Sequence, residues 1–275
     1  MAVIGFIISR RGVDPIVSRQ ATTGGGAQTA WKSEPMQQPM DDGDRLRGAL
    51  LGAALGEALA RFEHAGAPDT ATLEGRLRRG RWSLGPGMEC ALAVGEGPAS
   101  GREIDRSVLP ALPIALTAAF QPAALRHRVA ALYADVPPET AEAAIAFALL
   151  VAALFDGDRL AALDEAAEAA PAAAGTAMRS APLEDADRLA AGAEPLRSLR
   201  AGVWSFYQAE DTVEALLIAA RTGLGAACGG VCGALAGAWW GRRGIPEELA
   251  RKLEGTALER LADRLIGTLA GGTKR

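Results

Sequence analysis

The sequence lacks the features that mark nucleic-acid-binding or β-rich proteins. Its 29 Lys and Arg residues do not outnumber its 33 Asp and Glu residues, and the two signs are mixed along the chain. No face is therefore expected to attract a phosphate backbone over a long range, and we predict no nucleic-acid partner. No segment alternates convincingly with a period of two, so strands are not predicted. What remains is a globular chain of 275 residues, 49% hydrophobic, with enough apolar matter for a core.

The sequence also lacks the marks of an exported protein. It has three cysteines, Cys90, Cys228 and Cys232, an odd number that fits a reducing compartment better than a disulfide framework. The opening "MAVIGFIISRRGVDP" has no basic residue before its apolar run and no small-residue cleavage site after it, so we expect no secretory signal. The cytoplasm is the predicted compartment.

Residues 1–42 have little apolar matter to bury. The stretch 20–42, "QATTGGGAQTAWKSEPMQQPMDD", is rich in Gly, Gln, Thr and Pro, so burial would not offset the entropy lost on ordering it. We expect a flexible N-terminal tail over 1–42. A natural start at Met36 or Met40 is an equal alternative at this point.

One uncharged stretch is long enough to raise the question of a membrane span. Residues 222–241 read "TGLGAACGGVCGALAGAWWG" and consist mostly of Gly and Ala, which supply little of the free energy of transfer into lipid. A buried helix packed closely on its neighbours is the better interpretation, and we predict no membrane partner.

The first helix is predicted over 44–62, with Asp44 as its N-cap. Gly48, Gly52 and Gly56 recur every four residues, so they share one face and leave a groove for another backbone. Packing alone is sufficient to explain these glycines.

Helical patterns cover the rest of the chain and predict an all-α fold, a compact single-domain helical bundle over 43–272. The further helices are predicted at 86–96, 121–134, 138–155, 157–169, 184–193, 196–208, 211–221, 226–240 and, beginning with Pro246 in its first turn, up to Gly271.

Four segments taken together resemble the ADP-ribosylglycohydrolase family, which includes the dinitrogenase reductase-activating glycohydrolases and the lens crystallins of jellyfish. The segments are "DRLRGALLGAALGEALA" (44–60), "RWSLGPGMECALAV" (81–94), "ALYADVPPETAEAAIAFALLVAALFDGD" (131–158) and "TGLGAACGGVCGALAGAWWGRRGIPEELARKLE" (222–254). The last is the most specific, because "GALAGAWWG" and "GIPEEL" keep the family's spacing without a gap.

The resemblance implies an all-helical hydrolase that cleaves N- or O-glycosidic bonds at the distal ribose of ADP-ribosyl groups. It implies two Mg²⁺ ions between helix ends, held by a Thr-Asp-Asp motif and an Asp-x-Asp-Thr motif. Such hard cations take carboxylate, hydroxyl and water oxygens, and they orient the ribose and activate a water.

The second segment keeps the frame of the Thr-Asp-Asp motif but not its carboxylates. Trp82 matches the family pattern and Ser83 stands for Thr. Leu84 and Gly85 stand for the two Asp residues, and Pro86 replaces the Thr that follows them. Of these metal-site positions, only Ser83 keeps an oxygen that could bind a cation.

The last segment has lost its acidic residues as well. Counting back from "GALAGA", Leu224 and Ala226 stand where the family has its two Asp residues, and Ala227 stands where it has Thr. A Thr-His pair of the family falls on Tyr133 and Ala134. Losing the carboxylates of both halves removes the charge that holds Mg²⁺, which gives up its hydration reluctantly, so we predict that both family magnesium ions are absent and no cofactor is bound.

These substitutions predict a pseudoenzyme with a binding or scaffolding role, whose partner is an ADP-ribose-like small molecule or another protein. On the opening helix Glu57 replaces an Asp of the family and is the better candidate for a residual polar contact, compared with Glu89. The basic run 76–81 could retain weak ADP-ribose-type binding, with Arg78, Arg79, Trp82 and Ser83 as the ligand-binding residues. We lean against an enzyme; if the chain is active, we expect a hydrolase of the family's type.

Two other functions stay open at this point. An active hydrolase of ADP-ribosyl or related bonds could use a metal-free site or a soft-metal site built from Cys90, Cys228 and Cys232, although buried thiols are usually core. A purely structural role is the other. The two histidines, His64 and His127, are expected on the surface, because neither has a nucleophile or carboxylate beside it in sequence.

Overall fold

A computed structural model describes residues 41–61, 72, 75, 77, 82–96, 107–118, 121–155, 158–253 and 257–272. Every regular element in these ranges is helical, which confirms the all-α prediction. The predicted tail lies outside the described residues, except for Asp41 and Asp42 at the start of the first helix.

The described residues form α-helices joined by short connections. They are α1 (Asp42–Ala60), α2 (Pro86–Gly95), α3 (Leu112–Thr117), α4 (Pro122–Leu132), α5 (Pro138–Ala153), α6 (Arg159–Ala169), α7 (Ala172–Ser180), α8 (Glu194–Gln208), α9 (Thr212–Arg221), α10 (Ala226–Trp240), α11 (Glu247–Ala250) and α12 (Ala257–Gly272). Short 3₁₀ turns span Leu109–Ala111, Ala181–Leu183, Ala186–Arg188 and Arg242–Gly244.

Helix α1 begins three residues earlier than predicted. Asp41 is its N-cap, in an extended conformation, and its Oδ1 accepts the backbone N–H of Asp44 at 2.6 Å. The prediction of Asp44 as the cap was therefore wrong: Asp44 supplies one of the unpaired first-turn amides that the cap satisfies.

Three other differences have local causes. The helix predicted over 184–193 is reduced to a single 3₁₀ turn, because the Arg200 guanidinium takes the carbonyls of Arg188, Leu189 and Ala191. The predicted C-terminal helix is divided, with α11 ending at Ala250 and α12 beginning at Ala257. Helix α7 was not predicted.

Helices α1 and α10 form the centre of the described core through backbone contact. Gly56 lies against Gly229, Gly52 against Gly233 and Gly48 against Gly237, so the two helices run antiparallel. A methyl group at Gly52 would collide with the Gly233 carbonyl oxygen. The shared glycine face of α1, predicted as a groove for another backbone, is confirmed.

The uncharged helix α10 is a core element. Its residues from Cys228 to Ala238 are buried, as expected for a helix that is apolar on every side. Helix α5 is similarly buried from Ala143 to Ala153. Within the part of the chain that the structure describes, no helix combines the length and the hydropathy needed to cross a membrane.

Candidate functional site

The entry turn of α2 is capped by a side chain from another helix. Gly85 is the N-cap residue, has no side chain to accept the first amides, and precedes Pro86 at the first helical position. Glu57 of α1 takes that role: its two carboxylate oxygens accept the N–H groups of Gly87 and Met88 at 2.9 and 3.0 Å. Glu57 is only 3% exposed, so a buried carboxylate lies at the positive end of α2.

The same turn is also bound on its carbonyl side. Arg61 donates from Nη2 to the Ser83 carbonyl at 2.5 Å and from Nη1 to the Leu84 carbonyl at 3.2 Å. Arg61 follows Glu57 by four residues, which places the two side chains on one face of α1. We call Glu57 and Arg61 the α1 clamp, because they bind the backbone on both sides of Gly85.

Little room remains beside the entry turn. A side-chain carbon at Gly85 would collide with the carboxyl group of Glu57. One at Gly87 would lie 2.8 Å from Leu109 Cδ1, 3.0 Å from Ser107 Oγ and 3.1 Å from Glu57 Oε1. Both glycines are buried, so they allow the turn to approach α1 and the 107–109 segment closely.

The entry to α10 carries no acidic side chain. Gly225, its N-cap residue, has a φ of 88°, in the left-handed region that favours glycine. Leu224 donates its N–H to Thr222 Oγ1 at 3.3 Å. Leu224, Ala226 and Ala227 are half-buried and have hydrocarbon side chains.

The two helix entries meet at a common hydrophobic residue. Leu109 lies beside Gly87 in the first turn of α2 and also beside Gly230 in the first turns of α10, 2.6 Å from where a Cβ of Gly230 would stand. Glu57 follows Gly56, which touches Gly229 of α10. The structure therefore brings the α1, α2 and α10 segments together, with a carboxylate and a leucine where the resemblance implies two cations.

Tyr133 reaches the same junction from α4. It is 1% exposed and its hydroxyl donates to the Ser107 carbonyl at 2.9 Å, two residues from Leu109. Ala134 is exposed. The position that the resemblance matches to the Thr of a Thr-His pair therefore anchors the 107–109 segment.

The three cysteines are not gathered into a metal site. Within the described residues, no three His, Cys, Asp or Glu side chains form a group that could hold a metal ion. The Cys232 Sγ donates to the Ala215 carbonyl at 3.3 Å, and burial raises the pKa of this thiol well above its ordinary value. Cys228 is buried 3.7 Å from Thr222 Oγ1, and Cys90 is half-buried on α2. A metal-binding thiolate is disfavoured by that burial.

The predicted ligand-binding residues are only partly described. Arg78, Arg79 and His64 lie outside the described residues. Trp82 is half-buried, and its indole Nε1 is buried without a hydrogen-bond partner; Ser83 is exposed. Glu89 and His127 are both exposed, on α2 and α4, which agrees with the surface position expected for His127.

Sequence reasoning identified Glu57 but missed two residues of this junction. Arg61 carries a signal, because it follows Glu57 at the four-residue spacing of one helix face. Leu109 carries none, since a leucine in a short Pro-containing segment has no chemical mark of its own.

The fold and the junction define the class of the protein: an all-α protein in which two glycine-framed helix entries meet the end of a first helix. The family model for ADP-ribosylglycohydrolase matches residues 60–274, and the chain belongs to this family. Three of the four segments that carry the resemblance begin inside the matched range; the first, 44–60, reaches it only at its last residue. No curated protein matches the chain.

Proposed function

We propose that this chain is a member of the ADP-ribosylglycohydrolase family that does not hydrolyse ADP-ribosyl bonds and acts instead as a binding or scaffolding protein. The observation that carries the proposal is the state of the two helix entries. One presents Ser83, Leu84 and Gly85, and the other Leu224, Ala226 and Ala227.

The residues present do not fit a pair of magnesium ions. Mg²⁺ requires near-octahedral oxygen ligands and usually one or two carboxylates. At the described entries the carboxylate is that of Glu57, and its two oxygens already accept two backbone amides at the end of α2. Rotating it towards a cation would leave those buried amides without a partner, at a cost of about 1–3 kcal/mol each.

The structural frame of the family is nevertheless kept. The glycine contact of α1 with α10 and the entry turns of α2 and α10 remain closely packed. Helix entries of this kind can serve recognition without chemistry, because unpaired amides and neighbouring basic side chains attract anionic groups. This supports weak retention of an ADP-ribose-like ligand near Arg78, Arg79 and Trp82, or of a protein partner.

The test is hydrolysis of ADP-ribosyl-arginine and of O-acetyl-ADP-ribose by the full chain, with and without Mg²⁺. We expect no turnover above the buffer rate in either condition, because no group remains to hold the cations. Robust metal-dependent turnover would refute the proposal. Calorimetry with ADP-ribose, on the natural chain and on Arg78→Ala/Arg79→Ala, then separates a ligand-binding role from a purely scaffolding one.

A further inference from the structure

We infer that the α1 clamp fixes the entry turn of α2 to α1 without a metal ion, and that Glu57 also occupies the space that any side chain at position 85 needs. The inference rests on the proposed function, because it explains how a helix entry without metal ligands keeps a fixed position. It adds a specific coupling, between positions 57 and 85, which the proposed function does not require.

The clamp matches charge to backbone polarity. The amides of Gly87 and Met88 are free donors of a helix first turn, and they face the Glu57 carboxylate. The carbonyls of Ser83 and Leu84 precede the turn, and they face the Arg61 guanidinium. Charged groups make hydrogen bonds about twice as strong as neutral ones, so one face of α1 holds both sides of the turn.

Position 85 is closed by volume and not by backbone strain. Gly85 has φ −90° and ψ 167°, an extended conformation that alanine adopts freely and that suits a residue before proline. Its missing side chain would nevertheless collide with the Glu57 carboxyl group. The glycine is therefore needed because of Glu57.

The two departures from the family pattern complement each other. The resemblance places Asp at both position 57 and position 85, and this chain has Glu57 and Gly85. Glu is one methylene longer than Asp, and its carboxyl group lies where the first side-chain atom of residue 85 would stand. Restoring Asp at position 85 alone would therefore create a collision instead of a cation ligand.

The first experiment is a double-mutant cycle on thermal unfolding of the full chain in EDTA, using Gly85→Ala, Glu57→Asp and their combination. We expect Gly85→Ala to lower the unfolding midpoint by about 5 °C or more in the natural background and by less than half as much beside Glu57→Asp. Gly267→Ala is the matched control, because a methyl group at Gly267 of α12 meets nothing within 4 Å. Equal effects of Gly85→Ala in both backgrounds would overturn the coupling.

The second experiment measures the clamp by amide hydrogen exchange, which does not depend on a variant's total stability alone. Glu57→Gln keeps the shape of the side chain and removes its charge, so exchange at Gly87 and Met88 should accelerate by about tenfold or more, while amides in the middle of α10 stay protected. Glu89→Gln removes an exposed acid from the same first turn and should leave both rates unchanged. Unchanged exchange at Gly87 and Met88 in Glu57→Gln would refute the clamp.

The two proposals fail separately. Magnesium-dependent hydrolysis would remove the proposed function and leave the cycle in EDTA as measured. An additive cycle with slow exchange in Glu57→Gln would remove the clamp, while absence of hydrolysis would still support a pseudoenzyme.

Discussion

Single charged residues in this chain are bound largely by backbone groups, and Arg159 is the clearest case. Its guanidinium donates to the carbonyls of Phe206 and Ala209 at the end of α8, and it lies 4.3 Å from the centre of the Phe206 ring and 5.1 Å from that of Trp240. Burial lowers the pKa of Arg159, but an arginine stays protonated. The cation thereby satisfies carbonyls that the end of a helix leaves unpaired.

We expect Arg159→Lys to lower the free energy of unfolding by about 2 kcal/mol, because an ammonium group cannot stack on the rings and donate to both carbonyls together. Urea denaturation measures this loss. Arg179→Lys is the control, since Arg179 is half exposed in a surface ion pair with Asp164, and its replacement should change stability by less than about 0.5 kcal/mol. Equal losses in the two variants would contradict the assignment.

At the scale of elements, the contact of α1 with α10 depends on the absence of side chains. A methyl group at Gly52 would collide with the Gly233 carbonyl oxygen, and one at Gly233 with the Gly52 carbonyl oxygen. The listed neighbours are backbone atoms of two buried helices, so neither can move aside without separating the helices.

Gly52→Ala is therefore expected to destabilise the chain by more than about 4 kcal/mol, or to prevent folding, despite the higher helix propensity of alanine. The comparison is Gly267→Ala, where space is open and alanine should be neutral or stabilise by up to about 1 kcal/mol. Circular dichroism of both variants during urea unfolding gives the two values. A Gly52→Ala variant as stable as the natural chain would show that the helices do not meet along these glycines.

The elements also show how far the sequence leads. The glycines of α1 and the apolar length of α10 are periodic signals, so their pairing could be predicted. The loss of the 184–193 helix could not, because it depends on Arg200, which arrives from a different helix to take its carbonyls. Glu57 was recognisable as an acid near the junction, but its hydrogen bonds to Gly87 and Met88 span thirty residues of chain and needed the fold.

For the whole molecule, the question is whether folding depends on a divalent cation. The described core rests on buried helices such as α5 and α10 and on the backbone contact of α1 with α10. The entry turn of α2 is bound by Glu57 and Arg61. Each of these contacts is made by the chain itself, so the folded state has no structural need for a metal.

We therefore expect the thermal unfolding midpoint to differ by less than about 1 °C between excess EDTA and millimolar MgCl₂. A cation bound only by the folded state at a hundred times its dissociation constant would add about 2.7 kcal/mol, which in a chain of this size raises the midpoint by about 5 °C or more. NaCl at matched ionic strength controls for screening of surface ion pairs such as Arg47 with Asp263. A saturable rise with MgCl₂ that NaCl does not reproduce would mean that acidic side chains do assemble around magnesium, and the proposal of a metal-free pseudoenzyme would fall with it.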